Sequence, residues 1–315
     1  MTPDLGSTLL ALGAPRMLCA FKSAMPLAAA SSLSKAEAGD PSPFGRYAPS
    51  GLCAAALRVT RSCSDRWLAK RLAFFLRSMS IKWLSGRPVD VETLGARMRL
   101  RPYNNVAEKR LLFTPQYFDA KERALIASRI GEDGVFIDAG ASVGGYALSL
   151  AAIAPRAKIL AIEPLPEIFE RLVYNIDQNA FANVKALSCA LADRDGEVTL
   201  FVNANNRGET SVRIVSADAK GARLRVPAKS LLSVLRGEGY SRLDAIKLDI
   251  EGAEDLALDA FFRDAPRRLW PRLIVMEFNL LPAEAELERR LRDLGYREIL
   301  RTAENVAYER EAEAG

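Results

Sequence analysis

Val135-Phe136-Ile137-Asp138-Ala139-Gly140-Ala141-Ser142-Val143-Gly144-Gly145 decides how this chain folds. Val135 to Asp138 read as a buried strand that ends in an acid. Glycines follow at once, and an apolar helix opens at about Tyr146. Glycine lets a ligand approach the backbone closely, and a helix start offers unpaired N–H groups. The spacing is G-x-x-x-G, not the G-x-G-x-x-G of dinucleotide sites. An acid at the strand end repels a pyrophosphate and suits a ligand carrying positive charge. The same residues also fit a plain strand–turn–helix whose glycines serve packing, so the companions downstream decide.

Outward from that stretch, strands and helices alternate. Strands are expected at Val135–Asp138, Lys158–Glu163, Val184–Ala190, Ala245–Asp249 and Leu273–Glu277. Helices are expected at Tyr146–Ile153, Pro166–Asn179, Gly252–Phe262 and Ala283–Leu294. Such alternation predicts an α/β fold, a parallel sheet covered by helices on both faces. Between Glu197 and Val226 the pattern changes to short strands with polar loops, and Tyr296–Leu300 with Val306–Glu309 reads as a terminal antiparallel pair.

Upstream, Val89 to Leu100 reads as a hairpin with Gly95 at its turn, followed by helical pieces at Ala107–Phe113 and Asp119–Ile130. From Arg66 to Leu84, Trp67, Leu68, Leu72, Phe75, Leu76 and Met79 recur at helical spacing among basic residues. That helix either lies on a membrane or partner surface, or packs its apolar side on the main domain with its basic side in water; the second reading is preferred. Residues 1–65 are rich in Ala, Ser, Gly, Pro and Leu without periodicity, and are expected to be disordered. The expected organisation is therefore an N-terminal extension over 1–65, a basic helix and capping elements over 66–130, and the main domain over 131–311.

The charge is uneven. Residues 1–80 hold ten Lys/Arg against four Asp/Glu, and the remainder holds 34 against 35. A nearly neutral body argues against a nucleic-acid partner. The chain contains no histidine, which excludes Ser-His-Asp chemistry and His-zinc sites and leaves proton transfer to carboxylates, Lys, Tyr, Cys or water. The cysteines, Cys19, Cys53, Cys63 and Cys189, form no C-x-x-C pair. They fit a reducing, cytoplasmic setting.

Two further motifs carry chemistry. Ile162-Glu163-Pro164 ends the next strand, 25 residues after Asp138; a carboxylate there can accept both hydroxyls of a ribose. Lys247-Leu248-Asp249-Ile250-Glu251-Gly252-Ala253-Glu254 places Lys247 and Asp249 on one strand face and then turns into a helix. Helix-dipole stabilisation explains Glu251 and Glu254 but not two charges inside a strand.

Together these residues resemble the FkbM family of S-adenosylmethionine-dependent methyltransferases. The family pattern runs D-x-G-A-N-x-G, F-E-P, N-x-x-x-N and K-x-D-x-E-G-x-E. This chain has Asp138-Ala139-Gly140-Ala141-Ser142-Val143-Gly144, Ile162-Glu163-Pro164, Asn175-Ile176-Asp177-Gln178-Asn179 and the segment from Lys247 to Glu254. Ser142 stands where the family usually has Asn. The resemblance covers roughly residues 90–310 and implies a class I, Rossmann-like, mostly parallel seven-stranded sheet. It implies methyl transfer to a hydroxyl of a sugar, glycan or secondary metabolite. Asp138, Gly140, Ser142 and Gly144 would frame the methionine and ribose, Glu163 the ribose hydroxyls, and Ala190 or Asp193 the adenine. Asp249 and Glu251 would face the methyl and the acceptor, one of them as base, with Lys247 holding the acids in place. A metal-assisted variant would hold Mg²⁺ on Asp249, Glu277 and Asn279. The rival readings are a degenerate methyltransferase fold that only binds, and a nicotinamide dehydrogenase.

Overall fold

The computed structural model describes residues 40–64, 66–103, 105–202, 210–211, 222–250, 252–277 and 282–311. The chain begins with helices α1 (Gly51–Ser62) and α2 (Trp67–Leu84) and a hairpin of β1 (Val89–Thr93) and β2 (Ala96–Leu100). Helices α3 (Val106–Phe113) and α4 (Ala120–Ile130) follow. Next come β3 (Val135–Ala139), α5 (Gly145–Ile153), β4 (Lys158–Ile162), α6 (Pro166–Asp177) and β5 (Val184–Leu187). Short strands β6 (Ala190–Ala192), β7 (Gly196–Val202), β8 (Thr210–Ser211) and β9 (Ala222–Ser230) lead into α7 (Leu231–Gly237). The chain closes with β10 (Ala245–Leu248), α8 (Glu254–Asp264), β11 (Leu273–Glu277), α9 (Pro282–Asp293), β12 (Tyr296–Arg301) and β13 (Asn305–Arg310).

Seven strands form one sheet in the order β12-β13-β11-β10-β3-β4-β5, parallel except where β13 runs against both neighbours. The expected seven-stranded α/β sheet is present. The two-residue alternation of β3 sends Phe136 into a core beneath α5 and α6, while Val135, Ile137 and Ala139 enter a second core beneath α7, α8 and α9. Both faces are covered, which is why the central strands carry continuous apolar runs. From β3 the chain steps outward to β4 and β5, then crosses back to β10 on the other side. That reversal opens a crevice at the carboxyl ends of β3 and β10.

The segment expected as one strand over Val184–Ala190 is broken. β5 belongs to the main sheet, whereas β6 joins a separate sheet of order β6-β9-β7-β8. The strand expected at Ser211–Val215 falls mostly outside the described residues.

Residues 40–64 are also ordered, contrary to expectation: α1 buries Ala56 and Leu57, while the cause over residues 40–47 is polar. Arg99 is buried and grips Asp90 through two bonds of 2.7 and 3.0 Å. The same guanidinium donates to the carbonyls of Asp40 (2.8 Å) and Pro43 (3.0 Å). Asp90 Oδ2 accepts the amides of Gly45 (2.8 Å) and Tyr47 (3.1 Å). A buried ion pair is tolerated when its remaining donors and acceptors are met, and here residues 40–47 meet them.

Helix α2 meets the preferred reading only in part: Ile81 and Leu84 pack against the core, but much of the apolar stripe is left outside. Its only buried residues are Ala73 and Ser80. Trp67, Leu68, Leu72, Phe75 and Trp83 face outward, with Leu68 72% exposed and Trp67 65%.

Candidate active site

The loop after β3 is shaped by one close crossing. Gly140 has φ +78°, and a Cβ on it would lie 1.9 Å from the carbonyl oxygen of Asp249. The amides of Gly140 and Ala141 both donate to the Ile162 carbonyl, at 3.0 and 2.9 Å, and the Asp249 amide donates to the Ala139 carbonyl at 3.0 Å. The tips of β3, β4 and β10 are thereby locked together, and only glycine fits at the crossing. A cavity of about 340 Å³ opens above them.

Asp138 is buried. Its Oδ2 accepts the Ala147 amide at 3.0 Å, capping the first turn of α5 from below. Burial pushes its pKa up to about 6, against the pull of Lys247. Glu163 is buried too, and its two oxygens accept the amides of Leu165 (2.9 Å) and Ser142 (3.0 Å). Burial lifts its pKa to about 7 despite those two bonds. Each oxygen keeps further acceptor capacity for a ligand hydroxyl.

Lys247 and Asp138 are register partners on neighbouring strands. The buried Lys247 ammonium sits 4.9 Å from the centre of the Tyr146 ring and 2.7 Å from Asp249 Oδ2. Burial works against its charge, but Asp249 and Asp138 outweigh it and hold the pKa above its ordinary value. Asp249 differs from the other two acids: its side chain is 40% exposed at the cavity wall.

Asp138, Gly140, Ser142, Glu163, Ala190, Lys247, Asp249 and Glu277 all line the cavity. Gly144 does not; it is the left-handed N-cap of α5, with φ +97°. Asp193 is absent from the cavity lining and sits on an exposed turn beside Arg194, whereas Ala190 and its neighbours Cys189 and Leu191 line the cavity. Glu251 and Asn279 lie outside the described residues. Among the described residues, no group of three His, Cys, Asp or Glu side chains is placed to hold a metal ion.

Several wall residues carried no motif. Asn105 caps α3 by accepting the Glu108 amide at 3.0 Å, yet its buried Nδ2 has no partner. The Asn-x-x-Glu spacing of a capping box was the sequence signal available. Arg110 binds Asp119 at 2.7 Å and also pairs with Glu304, and Tyr146 donates its hydroxyl to Asp119 at 3.0 Å. Burial holds the Tyr146 phenol far above its usual pKa. Asn175 and Asn179, the N-x-x-x-N motif, are absent from the cavity lining and instead form a staple. Asn175 donates to the Val143 carbonyl (3.0 Å) and accepts the Arg99 amide (2.7 Å), while Asn179 exchanges two bonds with the Arg97 backbone.

Ser142 tests whether a cofactor belongs here. Its backbone is left-handed, φ +50°, and its Oγ is buried without a partner. Together with the unpartnered Asn105 Nδ2, this gives the cavity wall unmet polar atoms. Carboxylates at two strand tips, a glycine loop and unmet hydrogen-bonding groups fit a ligand that joins a ribose to cationic centres.

The family described as methyltransferase FkbM domain matches residues 138–298. A methyltransferase from Sordaria araneosa, sdnD, is 34% identical over 146 residues, 38% of this chain and 56% of that protein. A Beauveria bassiana protein named methyltransferase 1 is 28% identical over 141 residues, 39% of this chain and 56% of its own. The chain thus spans about half the length of these relatives. A solved structure titled METTL16 MTase domain superposes with a TM-score of 0.46 at 14% identity, covering 83% of this chain and 91% of that one.

Proposed function

This chain belongs to the FkbM methyltransferase family, and from that premise we propose that it methylates a hydroxyl oxygen of a small polyhydroxylated acceptor, a sugar, glycan or secondary metabolite, rather than a nucleic acid. The family's cofactor is S-adenosylmethionine, which when bound supplies a methyl on a positively charged sulfur that departs as a neutral thioether. Glu163 and Ser142 would hold its ribose, and Ala190 with Leu191 its adenine. Asp138 keeps α5 and the glycine loop in place.

The observation that carries this reading is the division of labour among ionisable groups. Tyr146 stays protonated, Lys247 stays charged, and Asp138 and Glu163 are buried on backbone amides. Among the described residues at the strand tips, Asp249 and Glu277 are the acids open to the cavity, and Asp249 is the one fastened to Lys247. It takes the hydroxyl proton as the new C–O bond forms, and Lys247 positions its carboxylate. The wall of Asn105, Arg110, Asp119, Glu304 and Asn305 supplies donors and acceptors suited to a polyol. Alignment and exclusion of water supply the remaining acceleration. Cys53, Cys63 and Cys189 are free thiols, consistent with a cytoplasmic setting.

Incubation with methyl-labelled S-adenosylmethionine and a panel of glycans and small polyols tests the proposal. Label is expected in an alkali-stable methyl ether. Binding of S-adenosylhomocysteine without turnover on any hydroxylated acceptor would favour the binding-module reading.

A further inference from the structure

Helix α2 carries its apolar side on the outside. Six large residues on it, Trp67, Leu68, Leu72, Phe74, Phe75 and Trp83, are exposed, although the helix buries Ala73 and Ser80 against its neighbours. Among these apolar groups stand exposed Arg71 and Lys82, with exposed Arg66 at the N-cap. Residues 51–84 contain seven Lys/Arg and a single acid. The Arg71 guanidinium lies 4.8 Å from the Trp67 ring centre.

We propose that α2 docks this protein flat on an anionic lipid bilayer. No described helix is long and apolar enough to cross a membrane, but 18 residues give a rod of about 27 Å that can lie in the interface. Lipid is the occupant that meets both halves of the face. Its acyl boundary receives Leu, Phe and Trp, its phosphates receive Arg and Lys, and tryptophan prefers the level between them. A second copy of the chain would set the same basic face against itself, which repels. Nucleic acid would leave Leu68, Leu72 and Phe75 in water.

Helix α1, which packs against α2, is bolted to the cavity. Gln116 donates to the Thr60 carbonyl at 2.8 Å, and the Tyr117 hydroxyl donates to the Cys63 carbonyl at 2.7 Å. The next residues, Phe118 and Asp119, line the cavity. Docking therefore holds the acceptor wall close to the lipid surface.

The test uses the full chain and two vesicle types, phosphatidylcholine alone and phosphatidylcholine mixed with phosphatidylglycerol. The protein is expected to float with the anionic vesicles. Trp67 and Trp83 should shift to the blue and be quenched by brominated lipid, over the constant signal of the third tryptophan, the buried Trp270. Exchanging Arg71→Gln and Lys82→Gln should weaken partitioning roughly fivefold for each charge removed, and raised salt should do the same. Leu68→Asp with Phe75→Asp should abolish flotation without changing the melting curve, because both positions are exposed. Equal flotation with neutral vesicles, no flotation with either, a lipid-free dimer that shields Trp67 and Trp83, or loss of RNA binding in the Asp variant would each overturn the proposal.

Discussion

Asp138 and Glu163 stand at strand tips, as Asp249 does, yet the structure uses the three acids in opposite ways. The first two are buried, bonded to backbone amides and lifted toward neutrality. The third is half-exposed and fastened to a buried ammonium. Under the proposed function, the contrast separates shaping from chemistry. Acids that hold a loop can be hidden and nearly uncharged until a cationic ligand arrives, whereas an acid that receives a proton must face the acceptor.

The largest effect should come from breaking the floor on which all three stand. Gly140→Ala would press a methyl group into the Asp249 carbonyl at a left-handed position, and should cost roughly 3 kcal/mol or more. Denaturant melts would show it, along with loss of cofactor binding. Next, Asp249→Asn should lower kcat about 10²- to 10⁴-fold while S-adenosylhomocysteine binds almost as before. A variant that keeps its rate would remove Asp249 as base and erase the contrast.

Titration sharpens the other side. Glu163 has a folded pKa raised above its ordinary value, so the stability it contributes is full below about 4.5 and disappears as pH rises through about 7. The ligand-free protein should lose on the order of 3 kcal/mol across that window through this group. Glu163→Gln should flatten the loss in melts followed against pH. In the same window S-adenosylhomocysteine should bind more tightly as pH rises, by up to about tenfold per unit, because the ionised form is the better acceptor. An affinity indifferent to pH would mean that Glu163 does not hold the ribose. The smallest effect belongs to Ser142→Asn. Asparagine tolerates the left-handed backbone better than serine, so a gain of about 0.5 kcal/mol in the cradle and a few-fold tighter cofactor are expected by calorimetry.

Much of this was legible before any coordinates. β3, β4, β10 and β11 lie within a residue or two of their expected bounds because continuous apolar runs between glycines and acids leave few alternatives. Glu163 and Asp249 stand out in the sequence because a charge at the end of such a run has few structural uses, and both line the cavity. What escaped depended on partners far along the chain. Asn175 gains its meaning from Arg99, 76 residues away, and Asn105 from a cavity walled mostly by residues from Asp138 onward. The order of residues 40–47 rests on one ion pair, which no periodicity announces. Helix α2 misled for another reason: an apolar stripe predicts that a helix will be covered but does not say by what.

The asparagine staple has a practical consequence for where the protein can be cut. A fragment trimmed to residues 138–298 would keep the motif loops but discard β1, β2 and β13. Asn175 would then face a missing partner at 0% exposure, and β11 would become a bare sheet edge. Such a piece should aggregate rather than bind, so the smallest autonomous unit must begin no later than the Asp90–Arg99 clamp and extend through Arg310.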